Sequence, residues 1–121
     1  MSKKKIIICD DDKGIVDMLE LLLEYSGADI ASETNSLHIH ALLLNENPQI
    51  LIVDLWMPNI SGDQVIRKVR ETIELKNLKI LAISASRDGE KIAMEAGADA
   101  FLAKPFDMDE ILDTVEKLFE N

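Results

Sequence analysis

Several polar residues of this chain come directly after runs of apolar residues. The stretch "ILIVDLWMPNISG", residues 50–62, puts Asp54 behind an aliphatic run and ahead of Pro58 and Gly62. An aliphatic run of this kind is typical of a strand covered on both faces, whereas Pro and Gly favour a loop. Asp54 is therefore predicted to end a buried strand, where a single Asp often does no more than cap the following turn.

The same pattern recurs along the chain and collects a chemically coherent set of side chains. Predicted strands end near Cys9, Glu33, Asp54, Ser84 and Lys104. The polar residues at or just beyond four of these ends are Asp10, Asp11, Asp12, Asp54, Ser84 and Lys104. Carboxylates that converge in one cleft repel each other unless a cation intervenes, and all-oxygen ligation favours Mg²⁺, with Mn²⁺ as the alternative. A lysine and a hydroxyl beside that metal would suit phosphoryl oxygens, so Asp54 could form an acyl phosphate.

Apolar periodicity predicts five helices between and after these strands. The residues that mark them are, in chain order, Ile15, Met18, Leu19, Leu22 and Leu23; Leu42 and Leu43; Ile66, Val69 and Ile73; Ile92, Ala93 and Ala96; and Ile111, Leu112, Val115, Leu118 and Phe119. Gly27 and Gly97 are predicted helix stops. Strands that alternate with helices predict right-handed crossovers and a doubly wound α/β fold, in which ligands bind at the carboxyl ends of the strands.

Composition and charge limit the function classes. A chain of 121 residues that is 47% hydrophobic predicts a single domain, residues 1–121. The formal net charge of −10 opposes direct binding to nucleic acid or to an anionic membrane. No apolar run has the length of a membrane span or a signal peptide, so we expect a cytoplasmic protein. The single Cys9 lies in an apolar run and is interpreted as an inert core thiol.

Four stretches together resemble the response-regulator receiver domain of two-component signalling. They are "IIICDDDKGIVDMLELLL", "ILIVDLWMPNISGDQVI", "ILAISA" and "AGADAFLAKPF", and in this order and spacing they cover nearly the whole chain. The resemblance implies a flavodoxin-like sheet with strand order 2-1-3-4-5. It also implies phosphotransfer from a sensor histidine kinase or a histidine phosphotransfer protein, followed by signalling to a downstream protein partner or relay of the phosphoryl group.

The resemblance further implies roles for residues of the metal site. Asp54 matches the phosphoacceptor, Asp11 the direct metal ligand, and Asp10 a residue that acts mostly through water. Trp56 matches the position whose backbone carbonyl binds the metal.

A second group of residues matches the switch and phosphate-binding positions of the family. Ser84 matches the switch hydroxyl, and Lys104 matches the phosphate-binding lysine, whose peptide bond to Pro105 is typically cis in the family. Phe101 stands at the switch aromatic position, which is often Tyr, so its ring has no hydroxyl to offer. Ser84 and Lys104 are 20 positions apart, a shorter spacing than usual, which predicts a shortened fourth helix or preceding loop. The segment "SETNSLHIHALLL" also lacks the pattern that is common in the family after the second strand.

Simpler interpretations apply to some neighbouring residues. Asp12 is predicted to be a helix N-cap or a solvated neighbour of the cluster, and not a metal ligand. His38 and His40 are too close in sequence to share a helix face, which disfavours a zinc or phosphohistidine site. The stretch "DDDKGI" superficially resembles an EF-hand loop, but such a loop needs Gly at its sixth position, where counting from Asp10 places Ile15. The EF-hand interpretation is therefore rejected.

Three function classes compete for this pattern. The leading hypothesis is a phospho-accepting signalling module, not an enzyme, and without its own output domain because Asn121 ends the chain near the predicted end of the fifth helix. A phosphohydrolase would need a carboxylate two residues after the nucleophile, where Trp56 stands. A receiver-like module that never takes phosphate would usually lack one of the acidic residues or the lysine, and this chain has them all.

Overall fold

The computed structural model describes residues 4–120, which build a five-stranded parallel sheet. Its strands are β1 (Lys5–Cys9), β2 (Asp29–Glu33), β3 (Ile50–Asp54), β4 (Lys79–Ser84) and β5 (Ala100–Ala103). Their spatial order is β2-β1-β3-β4-β5, and every pairing between neighbours is parallel. The predicted flavodoxin-like fold and strand order are confirmed.

Five helices cover the two faces of the sheet. They are α1 (Lys13–Leu23), α2 (Ile39–Glu46), α3 (Gly62–Glu71), α4 (Gly89–Ala96) and α5 (Met108–Glu120). Because successive strand residues point to opposite faces, β1 supplies Ile7 and Cys9 to one core and Ile6 and Ile8 to the other. Helices α2, α3 and α4 pack on the first core, whereas α1 and α5 pack on the second. The two-sided burial explains why the central strands are continuous apolar runs.

The helix ends show one clear departure from the periodicity. Ile73 was predicted to extend the apolar face of the third helix, but α3 ends at Glu71 and the Ile73 side chain is 74% exposed. Thr72 adopts an extended conformation, with φ −99° and ψ 112°, and a short 3₁₀ turn follows it. That prediction was wrong because a period of three to four residues persisted by chance beyond the point where the backbone leaves the helix.

The predicted glycine stops are found at two turns. Gly97 ends α4 with φ 119°, and Gly27 closes the 3₁₀ turn after α1 with φ 79°. Both values lie in the left-handed region, which glycine enters without the steric cost that a Cβ imposes. Within the described residues, no helix combines the length and apolar character needed to cross a bilayer.

Candidate functional site

The carboxyl ends of β1, β3 and β4 bring three polar side chains into one cleft. Asp10 directly follows β1, Asp54 is the last residue of β3, and Ser84 is the last residue of β4. The register places Cys9 opposite Val53 and Asp54 opposite Ile83, so these strand ends are adjacent. All three side chains are buried, and Asp54 is only 5% exposed. Burial on rigid strands holds these groups in place.

Three carboxylates form a compact oxygen cluster at this edge. Oxygen atoms of Asp10, Asp11 and Asp54 all lie within 4.8 Å of one another. Asp11 is exposed, whereas the other two are buried, so the cluster opens toward solvent on one side. Hard carboxylate oxygens with room for water are the donor set that Mg²⁺ prefers. The residues present therefore fit a divalent cation.

Lys104 is the residue that follows β5, and its side chain reaches into the same cleft. Its Nζ donates a hydrogen bond to Asp10 Oδ2 at 3.1 Å and lies 3.5 Å from Asp54 Oδ1. Burial alone would lower the pKa of Lys104, but the Asp10 and Asp54 carboxylates outweigh burial and raise that pKa. The lysine is thus held as an ammonium ion. Its peptide bond to Pro105 is cis, as the resemblance implied.

The ionised form of Asp54 remains electrostatically unfavourable despite the nearby ammonium ion of Lys104. Burial raises the pKa of Asp54 to about 6, the negative charge of Asp10 adds to the rise, and Lys104 opposes it. One ammonium ion does not neutralise three carboxylates, so negative charge is left over in a partly desolvated cleft. A divalent cation would remove this excess, which is the electrostatic reason to expect one here.

The two residues predicted to act as a switch, Ser84 and Phe101, lie on β4 and β5, on the α4 side of the sheet. Ser84 Oγ accepts a hydrogen bond from the backbone N–H of Ser86 at 3.1 Å. Phe101 pairs with Ala82, two residues before Ser84 on the same face of β4, and packs on the core beneath α4 as a half-buried side chain. The two residues therefore share one face of the sheet, and their switch role stays a prediction.

Two glycines hold helices directly against these residues, and sequence reasoning did not assign them this role. A Cβ at Gly62, the first residue of α3, would overlap the carbonyl oxygen of Asp54. A Cβ at Gly89, the first residue of α4, would lie 2.8 Å from Leu55 Cδ1 and 3.0 Å from Ser84 Oγ. Local sequence predicts only that glycine favours a loop, because the close approach depends on how each helix folds back onto the end of the preceding strand and, for Gly89, on the Leu55 side chain.

The remaining assigned residues lie at the rim of the cleft. Trp56 is in the loop between β3 and α3, with its side chain 53% exposed. Asp12 caps α1 by accepting hydrogen bonds from the N–H groups of Gly14 and Ile15, so its predicted structural role is confirmed. Its own N–H donates to Asp10 Oδ1 at 2.9 Å, which helps to orient that carboxylate.

The two histidines have different partners. His38 Nδ1 lies 3.9 Å from Glu33 Oε2, and His40 Nε2 lies 3.4 Å from Thr72 Oγ1. Burial and the charge of Lys68 lower the pKa of His40, with Glu74 opposing them. The two rings therefore have separate partners, one at the end of β2 and the other just after α3.

Comparisons with known proteins agree with this geometry. A family profile described as "Response regulator receiver domain" matches residues 6–116. The curated relative "DNA-binding dual master transcriptional regulator RpaA" from Synechocystis sp. is 31% identical over 116 residues, which are 94% of this chain and 48% of that protein. The chain thus spans about half the length of this relative.

Solved structures give the same answer for the fold. The signal receiver domain of a response regulator from Bermanella marisrubri has a TM-score of 0.89 and 31% identity, covering 98% of this chain and 99% of that one. The receiver domain of a sensor histidine kinase from Pseudomonas aeruginosa PAO1, with magnesium in its active-site cleft, has a TM-score of 0.89. At 17% identity, covering 99% of this chain and 100% of that one, it shows the fold alone. The profile match over most of the chain, together with the strand-end cluster, shows that this chain belongs to the response regulator receiver family.

Proposed function

We propose that residues 1–121 form a cytoplasmic phosphoacceptor domain that receives a phosphoryl group on Asp54 from a histidine kinase or a histidine phosphotransfer protein. The single observation that carries the proposal is the cluster at the carboxyl edge, where three carboxylate side chains meet one lysine. Receiver domains are signalling domains, so the transfer serves to change a surface instead of turning over a substrate.

The transfer is an in-line displacement on phosphorus. A carboxylate oxygen of Asp54 forms the new P–O bond while the P–N bond to the donor imidazole breaks, and the imidazole leaves with the bonding pair. When bound among Asp10, Asp11, Asp54 and the Trp56 backbone carbonyl, Mg²⁺ (or Mn²⁺) would supply charge neutralisation for the phosphoryl oxygens. The nucleophile, the ammonium ion and the hydroxyl are residues of the chain itself.

Lys104 and Ser84 are the groups that would respond to the new phosphoryl oxygens. Lys104 is held as an ammonium ion within reach of Asp54 and could exchange its carboxylate partner for a phosphoryl oxygen. Ser84 Oγ, which accepts from Ser86 N–H, would turn and donate a hydrogen bond to the phosphoryl group. That movement would vacate space on the face that Phe101 shares, and the ring would rotate inward.

The phenylalanine determines the kind of signal that leaves the site. Because Phe101 has no hydroxyl, the surface between α4 and β5 would report phosphorylation through shape and apolar burial. A downstream protein partner would then select the inward state. The close contact of Gly89 with Ser84 supports this route, because the first residue of α4 lies against the switch side chain.

The alternative functions have less support at the same positions. A phosphohydrolase would need an acid/base carboxylate where the half-exposed Trp56 stands. A module that never takes phosphate would not need a buried carboxylate with a raised pKa beside a partly buried lysine. The composition also disfavours direct binding of nucleic acid or a membrane.

The test is mass spectrometry after incubation with a small acyl-phosphate donor and Mg²⁺. We expect one phosphoryl adduct on the wild-type chain and none on Asp54→Asn, because an amide cannot act as the nucleophile. Asp113→Asn is the matched control, since Asp113 is exposed on α5. Labelling of Asp54→Asn at the wild-type level would refute the assignment.

A further inference from the structure

Ser36 is a buried polar residue outside the cluster described above, and it connects two loops. It lies in the connection between β2 and α2 and is only 2% exposed. Its Oγ donates a hydrogen bond to the Pro58 carbonyl at 2.9 Å and accepts one from the Ile60 N–H at 3.0 Å. Both partners belong to the loop between β3 and α3, more than 20 positions away in sequence.

The segment that carries Ser36 is itself well anchored. Asn35 Oδ1 accepts a hydrogen bond from the Leu37 N–H at 3.0 Å, and the Asn35 N–H donates to Glu33 Oε2 at 2.9 Å. Ser36 then begins a short 3₁₀ turn that leads into α2. The hydroxyl is therefore presented from a braced turn, where little conformational entropy remains to be lost.

The loop that Ser36 contacts needs such a support. Asn59, between the two bonded residues, has φ 71°, a left-handed conformation that Asn adopts more readily than other residues with a Cβ but that is stable only when the surrounding structure fixes it. On its strand side, the loop is tied to the core by Met57, whose Sδ lies 3.7 Å from Cys9 Sγ. Trp56 immediately precedes Met57, so the loop shape sets the direction of the Trp56 carbonyl.

We propose that Ser36 is a positioning residue for the metal site: its hydroxyl latches the β3–α3 loop in the shape that presents the Trp56 backbone carbonyl to Mg²⁺. This inference rests on the metal site proposed above. Ser36 touches neither metal nor substrate and acts only through Pro58 and Ile60. Groups that orient metal ligands in this indirect way affect metal affinity strongly, by about 10- to 100-fold when removed.

The experiment compares Ser36→Ala with Ser26→Ala. Ser26 makes the same kind of contact, since its Oγ donates to the Leu23 carbonyl at 2.6 Å and accepts from the Ala28 N–H at 3.2 Å. It lies before β2, at the opposite edge of the sheet from the cluster. Mg²⁺ dissociation constants are measured by Trp56 fluorescence, since Trp56 is the only tryptophan, and by the Mg²⁺-dependent rise in melting temperature.

We expect Ser36→Ala to weaken Mg²⁺ binding by about tenfold, whereas Ser26→Ala leaves the dissociation constant within about twofold of wild type. Both variants should unfold at lower urea concentration, because each loses two hydrogen bonds. Equal Mg²⁺ affinities in the two variants would overturn the positioning role while leaving the proposed metal site intact. Failure of wild type to bind Mg²⁺ would overturn both.

A second measurement needs no variant and covers the case in which Ser36→Ala does not fold. Coupling between two events is reciprocal, so if the latch strengthens metal binding, then metal binding must strengthen the latch. The reporter is hydrogen exchange of the Ile60 amide, which donates to Ser36 Oγ. We expect its exchange to slow by about tenfold in saturating Mg²⁺, with the Ala28 amide unchanged as control. Unchanged protection of Ile60 would refute the proposal.

Discussion

The amino and carboxyl edges of the sheet both carry clustered charged side chains, but the balance of charge differs between them. At the amino edge, Arg70 donates hydrogen bonds to the carbonyls of Gly97 at 2.8 Å and Leu78 at 2.7 Å, and to Asp99 Oδ2 at 2.8 Å. Asp99 also accepts from the Ile80 N–H at 2.8 Å. One cation thus meets one carboxylate there, and two further N–H groups of Arg70 donate to backbone carbonyls.

The carboxyl edge lacks this balance. Lys104 meets a cluster of three carboxylates, and the pKa of Asp54 is raised to about 6. The contrast indicates that a polar network whose charges balance stabilises the fold, whereas a network with excess negative charge favours binding of a cationic ligand. Four predictions test that contrast.

Removal of Arg70 should have the largest effect on stability. Arg70→Ala removes all three of these hydrogen bonds and leaves Asp99 without its cation, so we expect a loss of about 2–3 kcal/mol in the free energy of unfolding. The measurement is urea denaturation at neutral pH. Arg67→Ala, an exposed position on the same helix, should change stability by less than about 0.5 kcal/mol. Under conditions in which Arg70→Ala is folded, it should still be phosphorylated. Loss of phosphoryl labelling would mean that the two edges are not independent.

Neutralisation of Asp54 should act in the opposite direction. Its folded-state pKa is raised above the unfolded value, so the folded state keeps the proton longer and stability falls as pH rises from about 4 through about 6. Asp54→Asn removes this loss and should stabilise the metal-free protein by about 2 kcal/mol at pH 7. At pH 3 the two proteins should be nearly equal. Urea denaturation with EDTA across this range tests the prediction, and an equal difference at both pH values would contradict it.

Addition of Mg²⁺ should give a smaller stabilisation that depends on Asp11. Because the ion binds only the folded cluster, 10 mM Mg²⁺ should add about 1–2 kcal/mol if the dissociation constant is about 1 mM. Asp11→Ala should remove most of this response, since it deletes one of the clustered carboxylates. Asp113→Asn keeps the cluster and serves as control. An Mg²⁺ response of wild-type size in Asp11→Ala would exclude the metal from this site.

Replacement of Ser84 should have the smallest effect on stability and a selective effect on signalling. Ser84→Ala loses one hydrogen bond with Ser86, worth about 1 kcal/mol, and should still accept phosphate on Asp54. The response of residues around Phe101 should be lost, because no hydroxyl turns toward the phosphoryl group. NMR shifts with and without a phosphoryl mimic measure this. Equal responses in wild type and Ser84→Ala would mean that the signal leaves through another face.

Local sequence determined much of this protein. Apolar runs that end in polar residues predicted the positions of Asp10, Asp54 and Ser84, because strand burial and loop chemistry are both written in neighbouring residues. The cap role of Asp12 and the stop at Gly97 followed for the same reason. The period that suggested Ile73 was misleading, since periodicity does not record where the backbone turns.

Tertiary structure alone decided the contacts that give the site its properties. Lys104 meets Asp10 across 94 positions of sequence, and the raised pKa of Asp54 depends on burial and on the charge of Asp10, which follows a different strand. The approach of Gly89 to Leu55 and the latch from Ser36 to Ile60 likewise join separate segments. Such distances depend on how twisted strands and packed helices meet, and residue spacing along the chain carries no record of that packing.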